Sequence, residues 1–245
     1  IEVEVTSATG RVTAYASVVD NGTNDPLLVF PVVANNVSSR KYVLPGVADL
    51  NTGSASWRTD VRIFNASAAS ASAVVTFQAS RRGDGSMPAP VSRPLTLQPG
   101  DIAVHDNVLQ SLFDIRDAGG LIYITTPTDS SLVVTGRTYD KKPVGTYGQF
   151  IPAVTNAESV GIGDRTLELL QVEESARYRT NLGIAETSGN PVVVEIQALV
   201  PDSTVAMRKE VSLAANEFTQ ITRVLQQMQI PVAYNARLTV RVTGG

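Results

Sequence analysis

The chain has 245 residues, a formal net charge of −3, 43 % apolar residues, 6 % aromatics and no cysteine. That length suits one large β domain or two of ordinary size. The missing cysteines exclude disulfides, thiolate metal sites and a cysteine nucleophile. Acids and bases are mixed along the chain, so there is no footprint for nucleic acid or an anionic membrane, and no apolar run reaches the length of a membrane span.

In chain order, residues 1–6 and 11–20 alternate apolar and polar side chains and read as two strands around a turn at Ser7-Ala8-Thr9-Gly10. A loop comes next at 21–26. Leu27–Pro31 and Lys41–Pro45 are expected to be extended, because a residue before proline is pushed out of the helical region. Further strands are predicted at 57–67, 73–80, 93–98 and 102–105, with a Gly- and Pro-rich loop at 81–91. Asn107, with Gln110 three residues on, has the spacing of a capping box and predicts one or two helical turns through Phe113. Two more strands, 121–126 and 132–140, and a Gly-rich loop ending in Gln149-Phe150-Ile151-Pro152 close this segment.

The order then repeats. Trp57-Arg58-Thr59-Asp60-Val61-Arg62-Ile63 returns 121 residues later as Tyr178-Arg179-Thr180-Asn181-Leu182-Gly183-Ile184. Gln78 and Gln197 stand 119 apart, Val108 and Val224 116, Thr126 and Thr243 117, so the second copy is shorter, and the missing residues fall at 81–91. Trp57, Val61, Ile63, Val74, Phe77, Leu97, Leu112, Phe113, Ile122, Ile124 and Val133 are the expected first core, with Val224, Leu225 and Met228 rebuilding the short helix in the second copy. After Thr243 nothing answers to strand 132–140, whereas Asp20 matches Asp140 and Pro31 matches Pro152. The N-terminal segment 1–38 therefore reads as the tail of a module, followed by a first module at 39–154 and a second at 155–245 that lacks its last strand. Residues 11–20 have the alternation the empty position needs. They would fill it within one chain or between chains, which makes self-association by strand exchange the expected mode of partnership.

Tyr15-Ala16-Ser17-Val18-Val19-Asp20-Asn21 before Thr23 and Asp25-Pro26, Trp57-Arg58-Thr59-Asp60 with Phe64-Asn65, and Gly145-Thr146-Tyr147-Gly148-Gln149-Phe150-Ile151-Pro152-Ala153 resemble the tandem β-sandwich modules of secreted bacterial proteins. The resemblance implies an Ig-like fold and a secreted or cell-surface setting, with no catalytic residues to transfer and no cofactor. Together with the period-2 alternation, it gives the expected fold class: all-β, two tandem Ig-like β-sandwich modules, each with one short helical turn.

Few residues suggest chemistry. His105 is the single histidine, and strand alternation turns its neighbour Asp106 to the opposite face, against a general-base pair. Arg82-Gly83-Asp84 spells an integrin-type tripeptide in the longer loop, and Asp84-Gly85 is also a plain hairpin signal. Asp20, Asn21, Asn24 and Asp25 gather oxygens for a calcium ion without EF-hand spacing; such residues also stabilise turns unaided. Asn21, Asn36 and Asn65 head glycosylation sequons by pattern. The repeated Trp57-Arg58-Thr59 and Tyr178-Arg179-Thr180 are read as framework, each arginine expected to lay its stem on the preceding ring. No nucleophile, base and orienting group stand together, so the expected role is structural or adhesive; the alternative is a ligand-binding module, for example for carbohydrate, serving a secreted enzyme.

Overall fold

Small and β-branched side chains on alternate positions predict strands that bury one face, and the computed structural model, described over residues 3–32, 38–201 and 205–245, is all-β with two very short helices. The Asn36 sequon lies outside the described residues.

The first half is arranged on one long strand. β3 (Ser38–Thr52), β4 (Ala55–Asn65), β5 (Ala71–Ala79), β6 (Val91–Leu97) and β7 (Ile102–His105) precede the helix α1 (Val108–Phe113); β8 (Ala118–Lys142) and β9 (Gly145–Pro152) come after it. The two strands expected at 121–126 and 132–140 are one strand, β8. Its first part pairs with β5 and β3, as in Phe77↔Ile122 and Tyr42↔Ile124. Its second part pairs with β4 and β9, as in Val61↔Gly136 and Gly136↔Ile151. Between them the ladder to β3 skips from Lys41↔Thr125 to Ser39↔Ser130. The residues skipped include Pro127, which has no N–H to contribute and is tolerated where the ladder is interrupted.

Seventeen buried residues from Tyr42 to Val134 form the first hydrophobic cluster, including Val61, Ile63, Phe77, Leu97, Phe113, Ile122 and Ile124 of the expected core. Leu112 is half-buried against it. Three expectations are corrected. Trp57 is 36 % exposed and Val74 also faces solvent, because the motif's aromatic stands at the open end of β4 and it is Val75 that points inward. On β8 the core residues are Leu132 and Val134, with Val133 turned away, because the two-residue alternation of Ile122 and Ile124 continues in the same phase through the skipped residues.

In the second half, β10 (Leu167–Glu174), β12 (Val192–Leu199), β13 (Met207–Leu213) and β15 (Ala233–Gly244) make a four-stranded sheet, and among the described residues β11 (Leu182–Ala185) pairs only with β14 (Phe218–Ile221). The helix α2 (Val224–Gln227) supplies Val224 and Leu225 to a second, separate cluster that includes Met228. Pairing fixes the equivalence of the halves. Phe77 sits between Ile122 and Val91, and Ala198 between Leu238 and Met207. Phe77 thus corresponds to Ala198 at an offset of 121, and Val91 to Met207 at 116. The match of Gln78 to Gln197 is displaced by two, and that of Thr126 to Thr243 by one, although the length difference still falls wholly in the β5–β6 loop.

Before Ala16 the described residues form no strand; Gly10 N–H donates to Ser7 Oγ in the expected turn. β1 (Ala16–Asp20) and β2 (Asp25–Val29) are a two-stranded hairpin on their own. An alternating sequence without a partner edge stays out of the ladder. Among the described residues the hairpin does not pair with the second half of its own chain.

These burials predict unequal costs of truncation. Ile122→Ala should lower stability by about 2–5 kcal/mol in denaturant titration, and Trp57→Ala by no more than about 2 kcal/mol because its ring is already partly in water.

Candidate interaction site

The repeated Arg-Thr-Asp/Asn motif is a brace for the short helix. Thr59 Oγ1 accepts the Ala48 N–H at 2.8 Å and lies 2.9 Å from Thr138 Oγ1; Thr180 Oγ1 accepts the Glu173 N–H at 3.2 Å and donates to the Glu173 carbonyl at 2.7 Å. One residue on, Asp60 Oδ1 accepts the Asn107 N–H at 2.9 Å and Asn181 Oδ1 the Arg223 N–H at 3.1 Å. Asn107 and Arg223 each precede a helix in the left-handed region, with φ of 44° and 50°. That conformation costs a non-glycine residue energy and persists where neighbours hold it. Their side chains reach buried carboxylates: Asn107 Nδ2 donates to Asp49 Oδ2 at 2.8 Å, Arg223 Nη1 to Glu174 Oε1 at 2.5 Å. The capping box is not formed, since Asn107 uses its amide on Asp49 and on the Gln110 side chain instead of the helix backbone.

The two arginines of the motif differ from each other. Arg58 lies 3.4 Å from Asp49 and donates to Asn51 at 2.9 Å. Arg179 is exposed, and the ring of Tyr178 is approached by Arg177, 5.5 Å from its centroid.

A second brace closes the other end of the same strands. Asn65, fully buried, donates through Nδ2 to the carbonyls of Ala69, Leu97 and Gln98, which removes it from any glycosylation in the folded chain. Its counterpart Glu186 accepts from Ser188, Gly189 and Asn216. Burial alone would raise the Glu186 carboxyl, but the Ser188 hydroxyl and these backbone donors hold it below the usual range.

Of the other candidates, His105 is pushed toward neutrality first by burial and then by Arg62; Asp106 pairs with Arg62 at 2.6 Å, not with His105. Arg82, Gly83 and Asp84 are exposed in a turn where the Asp84 carboxylate takes the Ser86 N–H and hydroxyl. The residue before them is engaged: Arg81 binds Glu217 of the second half through both carboxylate oxygens, and Ser80 Oγ donates to the Phe218 carbonyl at 3.1 Å. Lys41 Nζ adds a bond to Asn216 Oδ1 at 2.7 Å. Nothing in the sequence of the loop distinguishes Arg81 from Arg82; only the stacked second half does.

The oxygens considered for calcium tie the N-terminal hairpin to β9. Asp20 Oδ2 accepts the Thr146 N–H at 2.8 Å and its hydroxyl at 2.6 Å, Oδ1 accepts the Gly22 N–H at 2.8 Å, and Asp25 Oδ2 accepts the Gly148 N–H at 2.8 Å. Among the described residues no three acids or histidines group as a metal site, and no helix is long and apolar enough to cross a membrane.

The sheet that β4 shares with β7 and β8 in the first half has only β11 and β14 in the second, and the far edge of β11 has no strand partner among the described residues. Other edges without a strand partner among the described residues belong to β6, β7, β9, β10 and β13, and to the hairpin β1–β2.

No protein-family model matches the chain, and no curated protein matches it. The crystal structure of Thermotoga maritima 1070 aligns with 50 % of this chain and 98 % of its own at 13 % identity and a TM-score of 0.37, at which level neither fold nor function is transferred.

The braces have two measurable effects. Asn65→Ala removes the donor from the buried Leu97 bond and from the part-buried Ala69 and Gln98 bonds, and should cost about 1–3 kcal/mol in denaturant titration. The Thr146 hydroxyl, with the Gly22 and Thr146 amides, holds the Asp20 carboxyl below its ordinary value. A depressed folded value means the docking is fully present above the unfolded carboxylate range and lost as pH falls through the lowered value. The protection of the Thr146 N–H against hydrogen exchange, relative to the unstructured rate at the same pH, should therefore fall under acid, and Asp20→Asn should show the reduced protection at neutral pH.

Proposed function

We propose that the chain is a non-enzymatic structural or adhesive element of a secreted or cell-surface array, built of two tandem Ig-like β-sandwich modules that assemble by strand complementation. The observation that carries this reading is where the repeated polar residues are spent. Thr59 and Thr180, Asp60 and Asn181, Asn65 and Glu186 all brace turns and helix starts, and none converges with a base or nucleophile on a cleft. The stacking of the halves through Arg81 and Glu217 suits an element that transmits shape along an array.

One observation favours the second reading, a carbohydrate-binding module. Trp57 stands opposite Asp140, which stands opposite Tyr147, so two exposed aromatics flank an acid on one row across three strands. Rings presented this way are the usual platform for a sugar face.

Two measurements separate the readings. Small-angle scattering of the intact chain should give a rigid rod, and Arg81→Ala should broaden its distance distribution. Saturable retention by a polysaccharide, abolished in Trp57→Ala, would replace the structural reading with the sugar-binding one.

A further inference from the structure

A lysine is held where the two halves meet. Lys41, on β3 opposite Thr125 of β8, is half-buried, and its Nζ donates to Asn216 Oδ1 at 2.7 Å across 175 residues of sequence. The Tyr123 ring of β8 lies 5.3 Å from the same nitrogen. Glu186, 4 % exposed, is the carboxylate whose charge acts on this amine, and it also accepts the Asn216 N–H at 2.7 Å. Its turn packs directly on the lysine, since a Cβ added at Gly189 would lie 3.6 Å from Nζ. An amine, a primary amide and a carboxylate thus come together from β3, from the turn between β13 and β14, and from the turn after β11.

The amide is held in place from several sides. Asn216 stands in the left-handed region with φ of 55°. Its neighbour Glu217 closes the turn by accepting the Ala214 N–H at 2.7 Å and giving its own N–H to the Ala214 carbonyl at 3.1 Å, and Arg81 grips Glu217 in turn. Glu186 is fixed by the Ser188 hydroxyl and the Gly189 N–H. Holding two reacting groups in contact removes most of the entropy that a reaction between free molecules would have to lose. The amine is prepared as well. Burial draws the Lys41 ammonium below its ordinary pKa, against the opposing pull of Glu186, so a larger share of it is neutral and nucleophilic.

We propose that Lys41 and Asn216 join in an intramolecular amide that ties the first half covalently to the second. The neutral Nζ attacks Asn216 Cγ; the Nζ–Cγ bond forms, the Cγ–Nδ2 bond breaks, and Nδ2 leaves as ammonia. Glu186 accepts the proton that Nζ loses and returns it to the departing Nδ2. A primary amine and a primary amide become a secondary amide and ammonia, so no oxidant, metal or cofactor enters. Each molecule reacts once, and both reactants belong to the chain, so no substrate cleft is required. This goes beyond the structural reading above and does not depend on it. Across the same seam run the Arg81–Glu217 pair and the Ser80 bond to Phe218. Salt and denaturant weaken those contacts, whereas the amide survives both.

Mass spectrometry of the full chain tests the bond. The intact protein should be lighter than its sequence by one ammonia, and trypsin should release a branched peptide joining the segment around Lys41 to that around Asn216. Asn21-Gly22 can also lose ammonia, by closing a succinimide, so the branched peptide decides. Lys41→Arg keeps the charge and the hydrogen-bond donor yet forms no such amide, and it should show no branched peptide. Glu186→Gln, with its far-UV spectrum unchanged, should form the amide slower by on the order of a hundredfold; an equal rate overturns the part given to Glu186. A chain that gives no branched peptide, even after long incubation at mildly alkaline pH where more of Lys41 is neutral, overturns the proposal. That result leaves Lys41 as a hydrogen-bond donor across the seam and the array reading standing.

Discussion

A strand's N–H and C=O groups must find partners when they leave water, and in this chain that requirement falls most heavily on β8. Its first part lies between β5 and β3 and its second between β4 and β9, so one continuous segment belongs to both layers around the first cluster. Backbones come close enough at Gly120 that a Cβ would fall 2.1 Å from the Gln78 carbonyl oxygen. β15 performs only the first of these tasks, between β12 and β10. Among the described residues, β11 and β14 of the second half form a two-stranded layer, and Leu167 and Leu169 are in contact with solvent.

Beneath the ladders lies a polar circuit that survives although its residues change. Asp49 with Asn107 becomes Glu174 with Arg223, and Asn65 becomes Glu186. The geometry held constant is the left-handed residue before each helix and the turn after each motif strand. In each half the buried carboxylate meets a donor that reaches it, because leaving it unmatched costs more than the bond contributes.

The alternation of apolar residues makes most strands and the duplication legible from sequence alone, and the Thr of Arg-Thr is visible as a repeated residue even before its bond to Ala48 gives it a reason. The differences between pattern and fold have physical causes. Leu132, Val133 and Val134 are all apolar, so their own letters do not say which faces inward; carrying the phase of Ile122 and Ile124 across the break picks Leu132 and Val134 over Val133, and Gln78 matches Gln197 because two identical letters outweigh a pairing the sequence does not display. Trp57 belongs in the core by its size, yet a strand's early residues can stand outside the layer that its later residues build. Arg81 and Glu217 are far apart in sequence and in different copies, so no local pattern could join them.

The altered partners in the polar circuit also bear on how the two similar halves of the chain avoid trading pieces while it collapses. If β10 were to take the place of β3, the longer Glu174 would arrive where Asp49 fits and would face Asn107, a neutral donor, in place of a guanidinium; β3 in the place of β10 would leave Arg223 reaching for a carboxylate one methylene too short. Divergence at these few buried positions works as a proofreading code between neighbours, raising the energy of the mispaired molecule while leaving each correct one undisturbed.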